Sequence, residues 1–298
     1  MKILITGSAG MFGNALYDKL AEDHEVVGID INQKADFLKV DLSNADLTIQ
    51  KIKEISPELI IHCAAYTDVD GCEKDKDRAY KLNVEVTETV ALAAKKSKSF
   101  LIYISTDFVF DGTKKVAYVE ENVTNVINVY GETKLEGEKA IKEILDKYLI
   151  VRTGWLFGLD GKNFVDTIIK KAKVEKELKV VNDQFGSPTY TVDLAEAISL
   201  VISNQLPVAN SHILNITNSG SCSWFEFAEE IIDSIGTKDV NIFPISSEEL
   251  NRPAKRPKMS ILDNSKFNQI YGKTLPNWKD ALKRYITSTC HSHKGGNP

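Results

Sequence analysis

Lys2-Ile3-Leu4-Ile5-Thr6-Gly7-Ser8-Ala9-Gly10-Met11-Phe12-Gly13 opens the chain with a short, largely apolar run and then places three glycines within seven positions. Asn14–Ala21 follows with Ala15, Leu16 and Leu20 at helical spacing. The order strand, glycine turn, helix predicts a βα unit. Glycines let the backbone turn sharply and let a phosphate approach it. The first helical turn then offers free N–H groups and the positive end of its dipole. The spacing is GxxGxxG, which suits a phosphate loop and also suits a tight βα turn with no ligand.

Outward from this unit the pattern repeats. Strand-like runs at Glu25–Asp30, Phe37–Val40, Leu59–Cys63, Phe100–Ser105 and Tyr148–Thr153 alternate with helical stretches at Leu47–Ile55, Glu73–Lys98 and Tyr130–Asp146. That alternation predicts a parallel sheet covered by helices. The strands are near-continuous apolar runs, as expected when both sheet faces are buried. The expected fold class is α/β, a doubly wound parallel sheet of Rossmann type with a smaller C-terminal α/β substrate-binding region. Residues 1–155 are read as a dinucleotide-binding domain, with a later segment near 187–208 returning to it. Residues 156–298 are read as mainly substrate-binding. Prolines at 188, 207, 244, 253, 257 and 276 mark the change in texture, and the basic segment 252–258 cannot be a regular helix.

Composition narrows the class. Of 298 residues, 43% are hydrophobic, and 37 Lys and Arg against 42 Asp and Glu give a net charge of −5. There is enough apolar mass for a core, and the acidic balance argues against nucleic acid as a partner. No run is apolar for long enough to span a membrane. Cys63, Cys72, Cys222 and Cys290 form no CxxC pair, which suits a reducing cytoplasm. The tail Cys290-His291-Ser292-His293 is read as a frayed terminus rather than a metal site, and no metal ligand is expected.

Several residues at strand ends carry chemistry. Asp30 ends the second strand, where a carboxylate accepts hydrogen bonds from the two hydroxyls of an adenosine ribose. It repels a 2′-phosphate, so NADH is favoured over NADPH, and nearby Lys34 softens that preference. Asp41 and Leu42 end the third strand and are placed to meet an adenine. Cys63-Ala64-Ala65-Tyr66 ends the fourth with small residues that leave room for a cofactor. Tyr130 and Lys134, at i and i+4, share one helix face. A nearby ammonium stabilises a phenolate and lowers the phenol pKa, which makes the pair an acid–base candidate. Ser105 and Thr106 end the fifth strand on the same side, and either hydroxyl could align a carbonyl with Tyr130.

Gly7–Gly13, Asp30 and Tyr130/Lys134 together resemble the extended short-chain dehydrogenase/reductases. Within them, several longer stretches are similar to the dTDP-4-dehydrorhamnose reductase (RmlD-like) family. These are Ala64-Ala65-Tyr66-Thr67-Asp68-Val69-Asp70, Ser105–Gly112, Tyr130–Glu138, Arg152–Gly158, Asn163-Phe164-Val165 and Asp183–Thr189. Arg256-Pro257 and Pro276-Asn277-Trp278 match late motifs, so the resemblance runs from Met1 to about Tyr285. It implies reduction of the C4 keto group of dTDP-4-dehydro-L-rhamnose to dTDP-L-rhamnose by NADH, or alternatively NADPH.

By the same resemblance, Tyr130 is the proton donor, Lys134 its modulator and Thr106 the polar partner. Gly10, Met11, Phe12, Asp30, Asp41, Leu42, Ala65, Tyr66, Thr67, Tyr130 and Lys134 are implied to touch the cofactor, with Gly7, Gly13 and Ala64 shaping the same site. Thr106, Asp107 and Trp155 are implied to touch the nucleotide-sugar substrate, and Arg256 is a candidate partner for its diphosphate. A homodimer is a family-level expectation. Phe108, Gly154 and Asn125-Val126-Ile127-Asn128 depart from the family pattern without touching the catalytic set. Two other readings remain open at this point. One is a related nucleotide-sugar reductase or epimerase acting on a different sugar. The other is a non-catalytic regulatory subunit of the methionine adenosyltransferase type.

Overall fold

The computed structural model describes residues 1–32, 34, 36–204 and 212–292. The first half runs β1 (Lys2–Thr6), α1 (Met11–Leu20), β2 (Glu25–Asp30), β3 (Phe37–Lys39), α2 (Ala45–Ile55), β4 (Leu59–His62), α3 (Val69–Lys74), α4 (Lys76–Tyr80), a π-helical turn (Lys81–Glu85), α5 (Val86–Ser97), β5 (Phe100–Thr106), α6 (Val129–Ile144) and β6 (Tyr148–Thr153). The second half runs β7 (Leu156–Phe157), α7 (Phe164–Ala172), β8 (Glu177–Val181), β9 (Phe185–Gly186), β10 (Thr189–Tyr190), α8 (Thr191–Ser203), β11 (His212–Asn215), β12 (Cys222–Ser223), α9 (Trp224–Ser234), β13 (Asn241–Ile245), α10 (Ser247–Leu250), α11 (Ser265–Tyr271) and α12 (Trp278–Ser292).

Seven strands form one parallel sheet in the order β11-β6-β5-β4-β1-β2-β3. The expected doubly wound α/β fold is borne out. Alternation of side chains sends each strand into two cores. Ile3 and Ile5 of β1, Leu59 and Ile61 of β4, and Ile102 and Ile104 of β5 pack on one face with Leu16 and Ile198. Leu4, Ile60, Leu101 and Tyr103 pack on the other with Val90, Ala94 and Ile141. Two late elements share this layer: α8 packs on the same face as α1, and β11 extends the sheet beside β6. A separate core lies within the second half, with Phe157, Phe227, Trp278 and Tyr285 among its members.

The stretch Glu73–Lys98 is not one helix. Asp75 leaves helical dihedrals, and its side chain accepts the Arg78 N–H, which ends α3 and starts α4. The π-helical turn follows, with Asn83 buried at its middle. The order of strands reverses between β1 and β4, so a crevice opens beyond their C-terminal ends. Gly7 lies there at φ +69°, and a Cβ on it would lie 2.7 Å from the Ala64 nitrogen. Only glycine allows the two loops to meet so closely.

Candidate active site

The crevice is a cavity of about 690 Å³, a size that takes small-molecule ligands. One end is the glycine loop, with Gly7, Gly10, Met11, Phe12 and Gly13 in its wall. A Cβ at Gly13 would fall 2.1 Å from the Gly7 carbonyl oxygen, so this turn is built for bare backbone. α1 begins at Gly10 without a side-chain cap, which leaves its first N–H groups for a ligand. Asp30 is buried at the end of β2. Its carboxylate accepts from the Ala9 N–H at 3.0 Å and the Asn32 N–H at 2.8 Å, which fixes its orientation and leaves lone pairs for hydroxyl donors. Glycine cradle, open helix end and oriented carboxylate fit a dinucleotide.

Asp41 and Leu42 line the same cavity, as do Ala64, Ala65, Tyr66 and Thr67 beyond β4. Thr106, Asp107, Tyr130, Lys134 and Trp155 form its other end. Arg256 does not line it. Its guanidinium is held by Asp70 through Nη1–Oδ1 at 3.1 Å and Nη2–Oδ2 at 3.0 Å. Asp70 also accepts from Arg252 and from the Ala254 N–H, so the basic segment 252–258 is strapped onto α3.

Asn128 caps α6 by accepting the Gly131 N–H at 2.8 Å and puts Tyr130 in the first helical turn. Burial pushes the Tyr130 phenol well above its usual value, and the neighbouring Thr106 hydroxyl partly offsets this. The expected depression by Lys134 is therefore not what the structure gives. Burial instead lowers Lys134 to about 7. Its ammonium donates to the Ile104 carbonyl at 2.7 Å and lies 4.1 Å from the centroid of the Tyr103 ring. Asp107 is raised to about 6 by burial. Thr106 donates to its Oδ1 at 3.1 Å, while Oδ2 has no hydrogen-bond partner among the described residues. Thr106 also accepts the Phe108 N–H at 3.2 Å, which fixes its hydroxyl at the end of β5.

The resemblance implies that Trp155 touches the nucleotide-sugar with its ring. One face is instead covered by Trp224, whose ring stacks at 3.5 Å with 3° between the planes. Trp155 sits at φ +51°, a strained position for a bulky residue. A Cβ on Gly186 would strike its ring at 2.3 Å, so only glycine fits beside it.

Sequence reasoning missed Trp224 and Asn83. Asn83 Oδ1 accepts the Tyr66 N–H at 2.7 Å, and its Nδ2 donates to the Tyr66 carbonyl at 3.1 Å and to Thr133 Oγ1 at 3.0 Å. It ties the Tyr66 wall to α6. The available signal was an Asn within a helical stretch, where that residue is unfavourable unless its side chain has other work.

The side chains of the Cys290-His291-Ser292-His293 tail lie outside the described residues. Among the described residues no group of three or more His, Cys, Asp or Glu could hold a metal ion. No helix there is long and apolar enough to cross a membrane.

The model of the RmlD substrate binding domain family matches residues 1–290. This chain belongs to that family. Solved members resemble it closely. A dTDP-4-dehydrorhamnose reductase from Clostridium acetobutylicum is 41% identical with a TM-score of 0.90, covering 97% of this chain and 99% of that one. A dTDP-4-dehydrorhamnose reductase from Bacillus anthracis, solved in complex with NADP, is 39% identical with a TM-score of 0.89, covering 96% of this chain and 99% of that one. The dTDP-4-dehydrorhamnose reductase of Escherichia coli K12 is 34% identical over 297 residues, 96% of this chain and 97% of its own.

Proposed function

We propose that this family member is a dTDP-4-dehydrorhamnose reductase. It reduces the C4 keto group of dTDP-4-dehydro-L-rhamnose to dTDP-L-rhamnose with NADH or NADPH. The observation that carries this reading is the convergence of Thr106, Tyr130 and Lys134, the last one turn along the same helix, in the wall of a cavity that begins at a dinucleotide-shaped loop. Full-length similarity to reductases that bear this name supports it.

When bound, the reduced nicotinamide supplies the hydride. The glycine loop and the first turn of α1 hold the diphosphate, and Asp30 takes the adenosine ribose hydroxyls. This carboxylate favours NADH, while the NADP bound by the Bacillus anthracis relative supports NADPH as a second reductant. Tyr130 gives its phenolic proton to the C4 oxygen as that oxygen gains charge. The raised phenol pKa keeps the proton on Tyr130 until the substrate needs it. Thr106 orients the phenol, and Lys134 returns positive charge beside the phenolate. Asp107 and Trp155 line the sugar end of the cavity.

The sheet with α1 and α8 serves as the dinucleotide half, and the core around Phe227 and Trp278 serves as the substrate half. A homodimer in the cytoplasm completes the proposal, with the free thiols Cys63, Cys72 and Cys222 suited to a reducing compartment. The test is loss of NADH absorbance with dTDP-4-keto-6-deoxyglucose and a 3,5-epimerase. Consumption that depends on the epimerase and yields dTDP-rhamnose is expected. Cofactor binding without consumption of either NADH or NADPH would contradict the reading.

A further inference from the structure

The loop of residues 158–163 carries Lys162 into the cavity wall, and it is fixed from several sides. Asn163 accepts the Asp166 N–H at 2.9 Å and donates to the Gly158 carbonyl at 2.9 Å, which secures both ends of the loop. Asp160, at φ +60°, accepts from Asn14 Nδ2 of α1 at 2.7 Å. Gly161 lies so close to α1 that a Cβ there would be 2.7 Å from the Met11 Cβ. A loop from the second half is thus clasped onto the uncapped first turn of α1.

Among the described residues three cations line the cavity: Arg78, Lys134 and Lys162. Lys134 is buried against the Ile104 carbonyl. Arg78 lies over the Tyr66 ring, 4.7 Å from its centroid. Lys162 is exposed to the cavity, adjoins the Gly161–Met11 contact and makes no ion pair within the described residues. Arg256, the other candidate for a diphosphate, is already held by Asp70.

We propose that Lys162 is a diphosphate-binding residue whose ammonium is delivered by the clasped loop to the diphosphate of the bound dinucleotide. This deepens the reductase reading and rests on it. Both the dinucleotide and the nucleotide-sugar carry a diphosphate. The contact between Gly161 and Met11 places Lys162 with the dinucleotide. An ammonium on a diphosphate adds a charge contact that salt weakens, and an Arg supplies the same charge.

The experiment measures NADH binding by fluorescence and dTDP binding by calorimetry for the wild type, Lys162→Met and Lys162→Arg, each at low and moderate salt. An unfolding midpoint for each variant controls for folding. Lys162→Met is expected to weaken NADH about ten-fold and to flatten the salt dependence, while Lys162→Arg stays within about three-fold. Binding of dTDP is expected to stay unchanged. Unchanged NADH affinity in Lys162→Met overturns the proposal, and so does a loss confined to dTDP or shared equally by both ligands. A wild type that binds neither NADH nor NADPH overturns the reductase reading as well.

Discussion

Glu138 and Arg152 meet in the interior as a two-point ion pair, Nη2–Oε2 at 2.7 Å and Nε–Oε1 at 2.9 Å, with both side chains almost fully removed from solvent. Ser105 Oγ donates to the same Oε1 at 2.7 Å. The cluster joins α6, which carries Tyr130 and Lys134, to β5 and β6. Arg152→Met leaves the buried Glu138 carboxylate with only the more distant Lys142, 3.8 Å away, and is expected to cost about 3 kcal/mol. The urea midpoint reads that loss. Glu138→Leu combined with Arg152→Met removes both charges and is expected to recover most of it. Wild-type stability in the single variant would contradict the account.

Asp107 makes stability depend on pH. Its folded value of about 6 lies above the ordinary 3.8. Between those values the folded state holds more protons than the unfolded one, so stability falls as pH rises through this window. The cost is fully present above about pH 6. Asp107→Asn is therefore expected to be more stable than wild type by about 2–3 kcal/mol at pH 8, with the gap closing below pH 4. Thermal or urea unfolding at the two pH values checks this. A gap that does not change with pH would show that burial of the carboxylate is not its cause.

Trp224 covers Trp155 on the sugar side of the cavity. Trp224→Ala removes a ring pair worth about 1 kcal/mol and is expected to raise the KM for the nucleotide-sugar up to about ten-fold. NADH affinity should be unchanged. A loss of NADH affinity of the same size would mean that the pair shapes the whole cavity rather than its sugar end.

Arg256 is committed to Asp70, so Arg256→Ala is expected to lower stability by about 1 kcal/mol, the scale of a partly exposed pair. NADH affinity should stay within about two-fold. A large loss of dTDP affinity without loss of stability would restore the diphosphate role read from the sequence.

The legible features were those encoded within a few residues. The Gly7–Gly13 turn, Asp30 at the end of its strand and the Tyr130/Lys134 spacing each announce their geometry locally, and the structure brings all of them to one cavity. The partnership of Arg256 was not legible, because Asp70 lies 186 positions away and only the fold joins them. The stacking of Trp224 on Trp155 has the same origin. Asn83 was hidden by helical periodicity, since its work depends on the fold bringing Tyr66 and Thr133 to the same side chain. The pKa directions at Tyr130 and Lys134 were not legible either. Spacing shows that two groups share a face, but not how deeply both are buried.

The most direct test is the turnover of Tyr130→Phe beside its NADH affinity. The substitution removes the phenolic proton and keeps the ring. A fall in kcat of at least about a thousand-fold is expected, within the range general acid catalysis contributes, with NADH affinity close to wild type. Turnover near the wild-type rate in this variant would contradict Tyr130 as the proton donor.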